Sequence, residues 1–131
     1  MRVVIALCLL MLAPPLAAQE LGPSSVIAKQ FEAFRQGDLE RAFSYASPNL
    51  QRYFGNSSNF GSVVSQGYGM VLNPDQTRML DLRKEGARLI QRVEVIDRKG
   101  VVYLMDYELI ETEDGWKING VEFAKSPPVA V

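Results

Sequence analysis

Apolar residues recur along the first half of the chain with a helical period. Ile27, Phe31 and Phe34 fall at i, i+4 and i+7, which places them on one stripe of a helix. Pro23-Ser24-Ser25 opens that helix with a serine positioned to cap it, and Gly37 closes it. Asp38 opens a second helix, in which Leu39, Ala42, Phe43 and Ala46 repeat with the same period. Ser47-Pro48 restarts the pattern, with the serine as cap and the proline at the first helical position. Leu50, Tyr53 and Phe54 form its apolar face, and Gly55 ends it. A fourth helix begins near Ser58-Asn59, carries Phe60, Val63, Val64 and Tyr68 on one face, and is followed by a break at Asn73-Pro74.

The second half alternates with the period of a strand. Four strands are expected, at 78–84, 87–96, 101–110 and 116–123. Turns fall at Glu85-Gly86, at 97–100 and at Asp114-Gly115. Strands joined in succession by short turns make an antiparallel meander, and helices followed by such a meander predict an α+β fold with the helices packed on one face of a curved four-stranded sheet. Parity assigns the faces of the third strand. Val101, Tyr103, Met105, Tyr107 and Leu109 share the face that should meet the helices. Val102, Leu104, Asp106, Glu108 and Ile110 point away from them.

The N-terminus has a different character. Met1-Arg2 is followed by an uncharged apolar run over 3–13, shorter than the about 20 residues that span a bilayer. Pro14-Pro15 breaks the run, and Leu16-Ala17-Ala18 offers small residues for cleavage. This is the layout of a signal peptide cut after Ala18, and it predicts a periplasmic or secreted protein with a single domain over 19–125 and a Pro-rich tail over 126–131. The one cysteine, Cys8, lies inside the apolar run, so the exported chain has no disulfide and relies on its core. With 131 residues and 47% hydrophobic residues, one such core is feasible.

Charge and residue types narrow the chemistry. Lys+Arg is 14 and Asp+Glu is 15, a net charge of −1, which lacks the basic excess of a nucleic-acid surface. There is no histidine, so Ser-His-Asp and Cys-His catalysis and most zinc ligation are closed. Ser47 reads as a helix cap rather than a nucleophile. Gly67-Tyr68-Gly69 lacks the further glycine or Lys-Ser/Thr of a phosphate loop. Glu111, Glu113 and Asp114 read as a solvated hairpin, not a calcium loop. Asn56-Ser57-Ser58 fits the N-glycosylation pattern but reads as a chance match. No cofactor is implied. The remaining signal is aromatic: Tyr53, Tyr68, Tyr103, Tyr107 and Trp116 could converge between sheet and helices, either as core or as the wall of a ligand pocket.

Several short stretches together resemble a known family. They are Phe31-Glu32-Ala33-Phe34, Ala42-Phe43 leading to Ala46-Ser47-Pro48, Phe54-Gly55, Gly67-Tyr68-Gly69-Met70-Val71 before Asn73-Pro74, Asp106-Tyr107, and Gly115-Trp116-Lys117-Ile118-Asn119-Gly120-Val121. The chain resembles, across nearly the whole mature chain, an uncharacterised bacterial secreted family, domain of unknown function 4864. The order of helices and meander also resembles the nuclear-transport-factor-like (SnoaL-like) superfamily, which implies a cone of helices on a curved sheet. That superfamily includes plain binding modules, and isomerases and dehydratases that use an aspartate and a tyrosine in the cone. The corresponding carboxylates here would be Asp106 and Glu108, which parity sends outward. Two functions therefore stand: an exported binding or protein-interaction module with an apolar pocket, or a small cofactor-free enzyme of the isomerase or dehydratase kind. Val102, Leu104 and Ile110 on the outer sheet face further predict a weak homodimer.

Overall fold

Pro23 sets where the first helix starts. Its missing N–H and fixed φ suit the first helical turn, so Gly22, not a serine, is the N-cap of α1 (Pro23–Arg35). The Ser24 hydroxyl instead donates to Gln91 Oε1 at 2.9 Å, tying the helix to the sheet. Asp38 caps α2 (Leu39–Ser44), accepting from Arg41 N at 3.1 Å. Ser47 caps α3 (Pro48–Phe54) from its expected place, and Gly55 ends that helix at φ 83°. The cap of α4 (Ser57–Gly67) is Asn56, whose side chain accepts from Asn59 N at 2.8 Å. The computed structural model describes residues 22–125; the signal peptide expected over 1–18 and the tail expected over 126–131 lie outside them.

The sheet is the expected antiparallel meander, with strand order β1 (Gln76–Glu85), β2 (Arg88–Ile96), β3 (Val102–Thr112) and β4 (Gly115–Phe123). Gly86 occupies the first position of the β1–β2 turn at φ 63°, a conformation that glycine adopts without a Cβ clash. Two irregularities shape the sheet. Between Met79 and Leu82, β1 carries an extra residue opposite β2. Between Glu108 and Leu109, β4 does the same opposite β3, where Asn119 is the extra residue. Such bulges bend a strand and increase its twist.

The helices lie on one sheet face, and the core fills the space between. Ile27, Phe31, Phe34 and Phe60 from the helices meet Val93, Val95, Met105, Tyr107, Leu109 and Ile118 from the sheet. Met105 and Tyr107 are buried beneath the helices as parity predicts. Tyr103 is only half-buried, because it pairs with Val95 towards the start of β3 and rests against Phe123 rather than under a helix. The segment between α2 and α3 also joins the sheet: Ala46 forms a parallel bridge to Ile118. Ser47 N donates to Ile118 O at 2.8 Å, and Ile118 N donates to Tyr45 O at 2.9 Å.

Candidate functional site

Helices and sheet do not close completely on each other. A cavity of about 260 Å³ remains in the cone, and its wall is mostly carbon: Phe34, Phe54, Phe60, Val64, Met105 and Ile118. Val63, on the exposed side of α4, also borders it and marks its mouth. The polar side chains on the wall are Gln30, Tyr68 and Tyr107. Among the described residues, no charged side chain lines it.

Each polar group owes its place to a local choice of fold. Gln30 lies on the buried face of α1, and its Nε2 donates to Ala42 O at 3.1 Å, linking α1 to α2. Tyr68 follows the last turn of α4, and its hydroxyl donates to Val121 O at 3.2 Å. The Tyr68 ring stacks on Phe123, with centroids 5.5 Å apart. Tyr107 stands at the middle of β3, its ring 6.1 Å from that of Phe31. Burial pushes its hydroxyl pKa well above the ordinary tyrosine range, since the phenolate would lose its hydration.

The five aromatic residues anticipated for a pocket do not all meet. Tyr68 and Tyr107 line the cavity; Tyr53, Tyr103 and Trp116 do not. Tyr53 corrects the sequence expectation most sharply. It is 81% exposed, because α3 turns Leu50 and Phe54 inward and leaves the neighbouring position on the solvent side. Trp116 packs against the core near the β3–β4 hairpin, away from the cavity wall. Gln30 was not anticipated. A lone glutamine inside an apolar stripe was the available signal.

Asp106 and Glu108 face away from the cone, as alternation requires. Contrary to a simple outward position, however, Asp106 is only 7% exposed. Arg92 grips it with two bonds, Nε to Oδ1 at 3.0 Å and Nη2 to Oδ2 at 3.2 Å, and Arg83 approaches to 4.0 Å. The guanidinium of Arg92 is held above its usual pKa by that bond and by the carboxylate's charge. Glu108 pairs with Arg88 at 3.1 Å. These ion pairs border a second hollow on the outer face. Among the described residues, no group of three or more His, Cys, Asp or Glu converges as metal ligands, and no described helix is long and apolar enough to cross a membrane.

Comparison with known families matches residues 17–131 to the one described as "Domain of unknown function (DUF4864)". Among solved structures, the fold recurs in a Campylobacter jejuni protein named as a candidate NTF2-like transpeptidase. The TM-score is 0.52 and the identity 14%, over 75% of this chain and 98% of that one. TerC, crystallised with polyporic acid, gives a TM-score of 0.39 at 14% identity over 79% of this chain and 91% of its own. An NTF2-like protein of unknown function from Burkholderia pseudomallei gives 0.41 at 11% identity, over 78% and 90%. The first of these carries the likeness of fold, an NTF2-like cone of helices on an open antiparallel sheet. No curated protein matches the chain.

Proposed function

We propose that this chain, which belongs to the DUF4864 family of domains of unknown function, is a binding module whose cone takes a small, uncharged and mainly apolar ligand. The observation that carries this is the cavity itself: about 260 Å³, walled by aromatic and aliphatic side chains, with no charged group among the described residues of its wall. Ligand sites are typically apolar pockets with a few polar groups that orient the guest. A void of about 150 Å³ already admits benzene, so a guest of one or two rings fits. The alternative, an isomerase- or dehydratase-like enzyme, needs a carboxylate beside the substrate. Asp106 and Glu108 sit on the opposite face of the sheet, each engaged by an arginine, which favours binding over turnover. The charged start, short apolar run and small residues of 1–18 support export to the periplasm or medium.

The test is purification from the extracytoplasmic fraction of the native host, with the N-terminus read by mass spectrometry and the protein extracted into organic solvent. The expected result is a chain beginning at Gln19 and one uncharged compound in roughly stoichiometric amount. Retention of Met1 on exported protein would defeat the export assignment. An empty extract, together with no saturable binding of naphthalene, would defeat the binding module. Turnover of the extracted compound that Asp106→Asn abolishes would establish the enzyme instead.

A further inference from the structure

Among the described residues, two polar side-chain atoms of the cone have no hydrogen-bond partner. Gln30 is 6% exposed and Tyr107 is 2% exposed. The bond from Gln30 Nε2 to Ala42 O fixes the orientation of the amide, because the carbonyl can only accept. Oε1 is thereby turned away from Ala42. Among the described residues, no donor reaches Gln30 Oε1 and no side-chain group hydrogen-bonds the Tyr107 hydroxyl, whereas the Tyr68 hydroxyl is engaged by Val121. Among the described residues, no sealed side-chain nitrogen or oxygen is left without a partner, so both atoms retain some exposure. The open space that both residues line is the cavity. One atom is a pure acceptor; the other is a hydroxyl that can donate.

Building on the binding module proposed above, we propose that Gln30 Oε1 and the Tyr107 hydroxyl recognise a single hydroxyl group, so that the ligand is a neutral phenol or cyclic alcohol of one or two rings. The ligand O–H donates to Gln30 Oε1, and the ligand oxygen accepts from the Tyr107 O–H. Burial keeps the proton on Tyr107, which preserves it as the donor. Other ligand classes fit less well. A hydrocarbon leaves both protein atoms desolvated and unmatched, and a ketone leaves Oε1 so. A carboxylate would face the Oε1 lone pairs with no cation among the described wall residues to balance its charge, and a buried unpaired charge is costly.

Calorimetric titration of the full chain at neutral pH with 2-naphthol, naphthalene and 2-naphthoate tests this. The expected order is 2-naphthol about tenfold tighter than naphthalene, from two neutral hydrogen bonds, with 2-naphthoate weakest. Tyr107→Phe, which keeps the ring and the packing, should weaken 2-naphthol several-fold and leave naphthalene unchanged. Gln30→Leu should do the same, with its fold checked by circular dichroism because it also loses the bond to Ala42. If naphthalene binds as tightly as 2-naphthol, or 2-naphthoate binds tightest, the hydroxyl recognition is wrong while the binding module stands. If none of the three binds, the binding module itself fails and takes this inference with it.

Discussion

Tyr107 places a titratable group in a wall of carbon, and its raised pKa has a consequence for stability. The group binds its proton more tightly folded than unfolded. Its contribution is therefore fully present below the unfolded tyrosine value of 10.0 and is lost as pH rises above it. Denaturant unfolding should show the wild type losing stability from neutral pH to about one unit above that value, and Tyr107→Phe losing distinctly less. Equal losses in the two proteins would mean that the hydroxyl is not desolvated. At this scale the sequence was legible in direction and silent about partners. Alternation along β3 put Tyr107 inward and Asp106 outward, as found. It could not reveal that Asp106 is buried, because the cover comes from Arg92 and Arg83 on two other strands. Nor could it separate Tyr107 from Tyr53, since an aromatic residue on a short helix fits either an inner or an outer stripe.

Several helix caps and turns were readable from local signals, although the serine expected to cap α1 gives way to Gly22 and α4 is capped by Asn56. Asp38, Ser47-Pro48, Gly55 and Gly86 act where their chemistry requires. Ser47 does more than cap. It is fully buried, its hydroxyl accepts from Leu50 N at 3.2 Å and donates to Asn119 Oδ1 at 2.7 Å, and its backbone joins the edge of β4. Ser47→Ala should lower unfolding free energy by about 1–2 kcal/mol, through loss of the cap and of the bond to the β4 bulge, measured as a shift in urea midpoint at unchanged slope. A change within error would mean that the Asn119 contact contributes nothing. The bridge from Ala46 to Ile118 and the bulges in β1 and β4 left no trace that could be read in advance. Each depends on the pairing of segments far apart in the chain, which local periodicity does not encode.

At the scale of the whole molecule, the outer sheet face divides into two regions. One end is a lattice of Arg–carboxylate pairs; the other exposes Val102 (54%) and Leu104 (38%), with Ile110 half-buried beside the lattice. We expect this apolar end to support a homodimer that dissociates on dilution, since its exposed apolar side chains are few and stable interfaces bury about 1,200 Å² or more. Sedimentation velocity over a wide concentration range should show a weight-average mass that rises with concentration in the wild type and not in Leu104→Arg. A monomer at every concentration would remove the dimer. The edges of the sheet are treated differently from its face. Along β4 the neighbouring strand position is partly taken by residues 45–47. Along β1, a buried glutamine amide, Gln91, reaches into the bulge and holds the carbonyls of Leu80 and Asp81 at 2.9 and 3.3 Å, while Arg78, Arg83 and Lys84 line the strand. An incoming extended peptide would find a ladder interrupted at its midpoint and flanked by charged side chains. That interruption works against fibrils: the open edge of β1 offers poor footing for strand-by-strand growth.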